Sequence, residues 1–200
     1  MNKPLAEILR PQSLDEYIGQ KHLVGEGAIL RRAIESGDIP SLILWGPPGV
    51  GKTTLANIIA NTLSLPFFAL SAINSGVKEV REVIEQAKQC NNALLFVDEI
   101  HRFSKNQQDS LLGAVEQGIV RLSGATTENP SFEVNAALLS RCKVFVLKAL
   151  EEADIERLLN HALTSEATIF FNMDYILTIF PILSNEYLSL NIFLKIIYLL

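Results

Sequence analysis

The sequence predicts an α/β fold in which a parallel sheet is covered by helices on both faces. Short apolar runs alternate with amphipathic stretches along most of the chain, which is typical of alternating strands and helices. A glycine-rich segment follows the first apolar run, and an Asp-Glu pair ends the third. Sheets of this class bind ligands beyond the carboxyl ends of their strands, so both segments are expected at that edge.

The individual elements follow from the spacing of apolar residues. Continuous apolar runs predict buried strands, and apolar residues three and four apart predict helices that bury one face. The predicted strands are residues 41–45, 67–71, 94–97, 119–125 and 143–147. The predicted helices are residues 52–63, 77–90, 106–117 and 151–163. We expect the fourth strand to lie between the first and the third.

Composition excludes several classes of protein. Apolar residues make up 48% of the 200, too many for a disordered chain. The net charge of −5 gives no overall basic footprint for nucleic acid, although a local basic strip remains possible within that sum. Two distant cysteines and three scattered histidines predict neither a disulfide framework nor a zinc site. The polar first residues do not resemble a secretory signal, which favours the cytoplasm, nucleus or an organelle.

The chain divides into three parts by its amino-acid composition and pattern. Residues 1–150 are predicted to form the core domain, and residues 151–166 begin a helical segment. Residues 167–200 form a tail rich in Ile, Leu, Phe and Tyr, with few charges. A membrane span is disfavoured, because charges and a proline interrupt each apolar window of the length that a helix needs. A buried helix pair is a second interpretation, and the one we favour is an out-of-frame or alternatively spliced end.

The glycine-rich segment at residues 46–53 matches the phosphate-loop motif G-x-x-x-x-G-K-[ST] in full. Glycines let the backbone N–H groups approach a triphosphate closely, and the helix that follows directs its positive end at the anion. Lys52 is predicted to contact the β- and γ-phosphates of ATP, and Thr53 to bind Mg²⁺. The predicted nucleotide-binding residues are Gly46, Pro47, Pro48, Gly49, Val50, Gly51, Lys52, Thr53 and Thr54.

The acidic pair supplies the second half of this site. The apolar run 94–97 delivers Asp98 and Glu99 to the edge where the phosphate loop is expected. Asp98 is predicted to hold Mg²⁺, directly or through water, and Glu99 to orient and polarise the attacking water. An apolar run that ends in Asp-Glu is a weak signal alone, and it becomes a strong one two strands after a phosphate loop.

Two further polar residues are candidates for catalysis. Thr127 follows the fourth strand, and its hydroxyl could reach the γ-phosphate or the attacking water. The alternative is that the hydroxyl only caps or hydrogen-bonds the backbone of a turn. Arg141 cannot easily reach the nucleotide of its own chain. It is either an arginine finger for a neighbouring subunit or an ordinary surface residue at the end of a helix.

Five segments together resemble the clamp-loader branch of the AAA+ ATPases, and more narrowly the replication-associated recombination protein A family, which is related to the Werner-helicase-interacting protein. They are PLAEILRP…EYIGQKHL, GPPGVGKT, LLFVDEIHRF, GATTENPSFEVN and LLSRC, and the resemblance spans residues 4–163. It implies a phosphate-loop nucleotide-hydrolase core followed by a helical lid. No residue of 167–200 matches the second sensor arginine that the family's lid supplies.

The resemblance also implies roles for particular residues. Thr127 matches the family's first sensor, and Arg141 matches the finger that one clamp-loader subunit inserts into the next. Lys78 and Arg81 lie in a segment that faces DNA in the family, although a solvated helix face is an equal interpretation. The residues that match the segment flanking the adenine are Arg10, Pro11, Ile18, Gly19 and Gln20.

The function that this resemblance implies is a Mg²⁺-dependent ATPase that acts on DNA in replication-fork maintenance, recombination and repair, with DNA-stimulated hydrolysis. Its expected partners are DNA junctions or ends, further copies of the chain in a homo-oligomer, and single-strand-binding protein. A bacterial protein of this kind would be cytoplasmic and nucleoid-associated, and a eukaryotic one nuclear. The alternatives are a protein-remodelling motor, which residues 71–78 disfavour because they contain no aromatic residue, and a nucleotide-binding fragment without significant turnover.

Overall fold

The computed structural model describes residues 5–90 and 92–164. The predicted tail, residues 167–200, lies outside the described residues, so the interpretations of it stay predictions. Residues Gln12–Leu150 form one compact unit that contains the sheet, and the flanking residues on both sides belong to a second unit.

Five strands form a single sheet in which every neighbouring pair is parallel. They are β1 (Leu42–Trp45), β2 (Phe67–Ser71), β3 (Ala93–Asp98), β4 (Val120–Thr126) and β5 (Lys143–Val146). Their order across the sheet is β2-β3-β4-β1-β5, which confirms the α/β class and the position of the fourth strand between the first and the third.

Long helices fill the connections between the strands, and short ones precede and punctuate them. The described helices are α1 (Leu5–Ile8), α2 (Lys21–Val24), α3 (Ile29–Glu35), α4 (Lys52–Thr62), α5 (Val77–Lys88), α6 (Lys105–Glu116), α7 (Pro130–Glu133), α8 (Ala136–Leu139) and α9 (Glu152–Thr164). A 3-10 turn covers Ile100–Arg102. The four long helices lie within two residues of their predicted bounds. Four-residue helices escape prediction because one turn is too short to show a period.

Alternate residues of each central strand enter different hydrophobic clusters, which is why the strands are apolar throughout. Leu42 and Leu44 of β1 pack in a cluster with Ile58 of α4. Ile43 between them packs on the opposite side, in a cluster with Val80 of α5. Both faces of the central strands β3, β4 and β1 are therefore buried, whereas Val144 and Val146 of the edge strand β5 are exposed, and the carboxyl edge of the strands is left for polar loops.

The second unit includes the described helix α9, an amphipathic helix with Glu152 and Asp154 in its first turn. Acidic residues at this end complement the helix dipole. Among the described helices, none combines the length and the hydrophobicity that crossing a membrane requires.

Candidate functional site

Three polar segments meet at the carboxyl edge of the sheet. Trp45 at the end of β1 lies opposite Thr126 at the end of β4, and β3 lies on the far side of β4. The N–H of Gly46 donates to the carbonyl of Thr126 over 3.1 Å, which joins the start of the glycine-rich loop to the strand that Thr127 follows. The order of the strands thus brings together the loop, the acidic pair after β3 and Thr127, as the sequence predicts.

The conformation of the glycine-rich loop requires glycine at three positions. Gly49 and Gly51 have φ angles of 76° and 91°, in the left-handed region that residues with side chains rarely adopt. A Cβ on Gly46 would lie 2.5 Å from the carbonyl oxygen of Leu147, which follows β5. The loop therefore turns sharply and packs closely on the neighbouring strand, so its backbone forms the surface of the site.

Helix α4 begins directly after this loop with its first N–H groups available to an anion. Gly51 occupies the N-cap position and supplies no side-chain cap, and the bond from the Leu55 N–H to the Gly51 carbonyl closes the first turn at 2.9 Å. The N–H groups of Lys52, Thr53 and Thr54 precede that bond, so they are the unpaired donors of a helix N-terminus. This arrangement fits a phosphate group.

Lys52 is a buried cation, with only 8% of its surface exposed. Its Nζ donates to the carbonyl oxygens of Gly46 (2.7 Å) and Pro47 (2.8 Å), so the ammonium group lies within the curve of the loop. Burial lowers the pKa of Lys52, and the charges of Glu99 and Asp98 act in the opposite direction. The lysine thus lies in the electrostatic field of both acids.

Asp98, the last residue of β3, is half-buried and accepts a 3.1 Å hydrogen bond from the N–H of Glu99. Burial raises the pKa of Asp98, the charge of Glu99 raises it further, and Lys52 lowers it. A half-buried carboxylate beside a second carboxylate, together with the Thr53 hydroxyl of α4, is a donor set that suits Mg²⁺. Groups of three or more His, Cys, Asp or Glu that could hold a metal are not found in the described part of the chain.

Glu99 leaves the strand in a left-handed conformation, with φ 51° and ψ 46°, which is uncommon for a residue with a side chain. The following 3-10 turn holds this conformation, because Ile100 is fully buried and packs towards Gly124 of β4. A Cβ on Gly124 would lie 3.0 Å from Ile100 Cδ1 and 2.7 Å from Ile43 Cδ1. Gly124 therefore makes room for the isoleucine that anchors the turn carrying Glu99.

The carboxylate of Glu99 contacts two side chains. Thr127 donates from Oγ1 to Glu99 Oε2 over 3.4 Å, and His101 Nδ1 lies 3.2 Å from the same oxygen. The first contact joins the predicted water activator to the predicted sensor, as expected for residues that share a site. The second contact was not predicted from the sequence, because the position of His101 depends on the 3-10 turn.

Tyr17 is a further residue that the sequence did not single out. It is buried, and its hydroxyl lies 3.1 Å from the carbonyl of Val50 and 3.2 Å from that of Gly51, so it donates its proton to the phosphate loop. Burial raises the pKa of Tyr17. Its adjacency to Ile18 in the predicted adenine-flanking segment was the one signal available.

The residues after Tyr17 form a tight turn against the end of β5. Gly19 and Gln20 both have positive φ angles, 86° and 52°. The side-chain amide of Gln20 donates to the Lys148 carbonyl (2.7 Å) and accepts from the Lys148 N–H (2.8 Å). Gln20 therefore fastens this segment to the chain beyond β5, and its predicted place beside an adenine stays a prediction.

Arg10 and Pro11, the other two residues predicted beside the adenine, belong to the second unit. Arg10 forms an ion pair with Glu7 at 2.7 Å. Their predicted place near the nucleotide stays a prediction.

Arg141 lies at the opposite edge of the sheet from the phosphate loop. It precedes β5, whose first residue, Lys143, is opposite Leu42 at the start of β1, whereas the loop follows the end of β1. A strand of four residues separates these edges by roughly 10 Å. Arg141 Nη2 pairs with Glu116 at 2.5 Å, and Nη1 donates to the Ala137 carbonyl at 2.7 Å. The structure thus keeps Arg141 away from the nucleotide site of its own chain.

Lys78 and Arg81 lie on the first turns of α5, outside the nucleotide site. Lys78 is 84% exposed and pairs weakly with Glu82 at 3.6 Å. The loop before α5 starts at the carboxyl edge, because Ser71 is opposite Asp98 in the sheet. Equal numbers of basic and acidic residues occupy α5, so its charge alone does not decide between a DNA contact and a solvated face.

Comparison with known proteins agrees with this geometry. The sequence model of the ATPase family associated with various cellular activities (AAA) matches residues 42–150, more than half of the chain. Replication-associated recombination protein A of Escherichia coli K12 is 51% identical over 179 residues, which are 88% of this chain and 40% of that protein. The ATPase WRNIP1 of Dictyostelium discoideum is 50% identical over 164 residues, 80% of this chain and 19% of that protein.

A solved structure shows the same architecture. The RuvB Holliday junction branch migration motor of Thermotoga maritima superposes with a TM-score of 0.65 at 30% identity, over 78% of this chain and 54% of that one. The chain spans less than half the length of the curated relatives it matches. It belongs to the AAA family of ATPases, and its predicted resemblance to replication-associated recombination protein A is confirmed.

Proposed function

We propose that this chain hydrolyses ATP with Mg²⁺ and couples hydrolysis to work on DNA in fork maintenance, recombination and repair. The observation that carries the proposal is the placement of Lys52 in the field of Asp98 and Glu99, at an edge formed by an uncapped helix and a glycine loop. A buried cation that faces two acids across a donor-rich loop suits a phosphate chain and its metal ion.

Each residue of the site has a task in this reaction. The N–H groups at the start of α4 and the ammonium of Lys52 bind and orient the phosphates. Asp98 and Thr53 would hold Mg²⁺, and its positive charge would be available to offset the charge that builds on the phosphoryl oxygens. Glu99 orients the attacking water and accepts its proton, and Thr127, bonded to Glu99 Oε2, fixes the direction of that carboxylate.

Arg141 completes the site of a neighbouring copy in this proposal. Its position at the amino edge supports that role, because an arginine there serves catalysis only across an interface. The Glu116 ion pair holds the guanidinium in place until a neighbour's phosphate replaces it. Hydrolysis is accordingly expected from a homo-oligomer and not from an isolated chain.

DNA is the proposed object of this activity, because the relatives include a recombination protein and a Holliday junction motor. Junctions or ends are the expected structures, and single-strand-binding protein is the expected accessory partner. Lys78 and Arg81 would contact phosphates without reading sequence. Such a protein works where DNA is found, with the nucleoid in bacteria or in the nucleus of eukaryotes.

A hydrogen-bond path supports coupling between the loop before α5 and the nucleotide site. Gln107 of α6 is buried, and its Nε2 donates to the carbonyl of Ser75 in that loop over 2.8 Å. Its Oε1 accepts from the N–H of Ser104 over 3.0 Å, and Ser104 follows the 3-10 turn next to Glu99. DNA bound at the loop could thereby shift the turn that carries the water activator.

The direct test is steady-state ATP hydrolysis by the chain, with and without forked or gapped DNA, alongside its mass in solution. Turnover by an oligomer that rises with DNA is the expected result. A monomer that binds ATP without turnover would instead identify a nucleotide-binding fragment. Stimulation by an unfolded protein, but not by DNA, would favour a protein-remodelling motor, with exposed Ile73 of the loop as its contact.

Mixing two inactive variants tests the shared site. The Arg141→Ala variant keeps an intact phosphate loop but cannot supply an arginine finger to its neighbour. The Lys52→Ala variant supplies the arginine finger but binds no nucleotide. An equal mixture should regain part of the wild-type activity, because some interfaces then pair an intact loop with an intact Arg141. A mixture as inactive as its components would remove Arg141 as a finger acting between chains.

A further inference from the structure

His101 lies beside Glu99 but belongs to neither the phosphate loop nor the acidic pair. Only 12% of its side chain is exposed, and its Nδ1 lies 3.0 Å from Thr126 Oγ1 and 3.2 Å from Glu99 Oε2. One ring nitrogen therefore contacts both the end of β4 and the predicted water activator.

The hydrogen bonds of Thr126 identify which ring nitrogen carries the hydrogen. This residue is fully buried, and its hydroxyl donates to the Glu128 carbonyl over 3.2 Å and accepts from the Glu128 N–H over 3.0 Å. Because its only proton is used, Oγ1 presents a lone pair to His101. The neutral ring therefore places its hydrogen on Nδ1 and donates it to Thr126, and the Glu99 carboxylate lies 3.2 Å from the same nitrogen.

The position of Glu99 follows from this donor. Oε2 accepts a 3.4 Å hydrogen bond from the Thr127 hydroxyl and lies 3.2 Å from His101 Nδ1, whose N–H dipole attracts it. Within residues 5–90 and 92–164, no hydrogen bond to the other oxygen, Oε1, is found. Oε2 is thus held by the Thr127 hydroxyl and by the positive end of the His101 N–H, whereas Oε1 has neither contact.

We propose that His101 is a positioning residue for hydrolysis: its Nδ1–H, fixed on Thr126, holds Oε2 of Glu99 so that Oε1 meets the attacking water. This inference rests on the proposed ATPase function. His101 contacts no phosphate in this role and acts only through Glu99. Its loss therefore slows turnover without weakening nucleotide binding, because a misdirected base loses catalytic geometry while the phosphate loop is unchanged.

Two substitutions of nearly equal shape separate the donor from the bulk of the ring. Asparagine places an amide N–H near the position of Nδ1, and leucine fills a similar volume without a donor. His101→Leu should lower kcat by about 10-fold or more, with the Kd of a fluorescent ATP analogue unchanged. His101→Asn should recover most of that loss. His22→Leu is the control, since the His22 ring hydrogen-bonds the Val146 carbonyl at 2.9 Å and not Glu99, and its kcat should match wild type.

Combining His101→Leu with Glu99→Gln tests whether the histidine acts through Glu99. The double variant should be no slower than Glu99→Gln alone, because residues that act as one unit are not additive. Any of three results would overturn the proposal. The Leu and Asn variants could have equal kcat values, His101→Leu could have a kcat at or above that of wild type, or the losses of kcat in His101→Leu and Glu99→Gln could be fully additive in the double variant.

A measurement that needs no turnover separates this inference from the proposed function. Nitrogen-15 NMR of the histidine-labelled chain should show the hydrogen of His101 on Nδ1, with a resonance that shifts in Glu99→Gln. If the wild-type chain has no ATPase activity, the proposed function is wrong. The spectrum would still show which nitrogen of His101 carries the hydrogen and whether the ring responds to Glu99. A hydrogen on Nε2, or a resonance indifferent to Glu99→Gln, would overturn the role of His101.

Discussion

The hydroxyl of Tyr17 lies 3.1 Å from the carbonyl oxygen of Val50, across 33 residues of sequence. It also lies 3.2 Å from the Gly51 carbonyl, and its ring fills the space that a side chain on Gly51 would need. A segment that precedes the sheet thus supports the outer side of the phosphate loop. The left-handed conformation of Gly51 depends on this packing as well as on the residue itself.

Tyr17→Phe should weaken ATP binding several-fold and lower the free energy of unfolding by about 1 kcal/mol, because carbonyls of the loop lose their donor while the ring stays. Titration with a fluorescent ATP analogue and thermal unfolding measure the two effects. Unchanged affinity with lowered stability would show that the hydroxyl serves the fold and not the loop.

Lys52→Ala should reduce ATP affinity by about 100-fold or more, because the ammonium group is the buried cation of the phosphate site. The measurement is analogue titration at constant ionic strength. Lys105→Ala is the matched control, since Lys105 is exposed at the start of α6 and should leave affinity unchanged. Undiminished binding by the Lys52 variant would mean that the phosphate site is assigned wrongly.

Asp98→Asn should stabilise the nucleotide-free protein at neutral pH while removing its response to Mg²⁺. The raised pKa means that the folded state binds the proton of Asp98 more tightly than the unfolded state does. Stability is therefore lost as pH rises above the ordinary value of 3.8 through the folded pKa, and asparagine avoids that loss. The expected sign is a higher Tm for Asp98→Asn than for wild type at neutral pH.

Thermal unfolding across pH, with ATP and with or without Mg²⁺, tests the Asp98 prediction. The advantage of Asp98→Asn should shrink as pH falls towards 3.8. Wild type should gain stability from Mg²⁺ and the variant should not. A variant that is less stable than wild type at neutral pH would mean that the carboxylate has a favourable partner in the folded protein.

Glu99→Gln should retain ATP affinity and lose turnover by a factor of about 10² to 10⁴, the range that a positioned general base contributes. Analogue binding and steady-state hydrolysis check the two halves. Glutamine keeps the size of the side chain, so a lost affinity would point to a damaged loop. Hydrolysis at the wild-type rate would remove Glu99 as the water activator.

Gly124→Ala should slow hydrolysis although Gly124 touches no nucleotide. Its new methyl group would meet Ile100 and Ile43, so the turn that carries Glu99 must shift or the core must adjust. We expect a cost of about 1–3 kcal/mol in stability and a lower kcat at unchanged ATP affinity. Gly113→Ala is the control: its Cβ would meet nothing within 4 Å, so kcat should not change, and stability should rise by up to about 1 kcal/mol, because alanine favours the helix α6 more than glycine does.

Much of this protein is determined by local sequence. The central strands appear as apolar runs because both of their faces are covered, and the long helices appear through their period. The phosphate loop and the acidic pair were found because their chemistry lies in adjacent residues, Gly46 to Thr53 and Asp98 with Glu99. The edge on which they meet was predictable too, since ligands gather at the carboxyl ends of parallel strands.

Other contacts were decided only by tertiary structure. Gln20 meets Lys148 across 128 residues, His101 meets Thr126 across 25, and Arg141 pairs with Glu116 at the edge away from the loop. No period or motif encodes these pairs, because each depends on the order of the strands and on a turn with unusual dihedral angles. The sequence by itself determined which groups are the candidates for the chemistry, whereas the packing of distant segments decided how those groups are held.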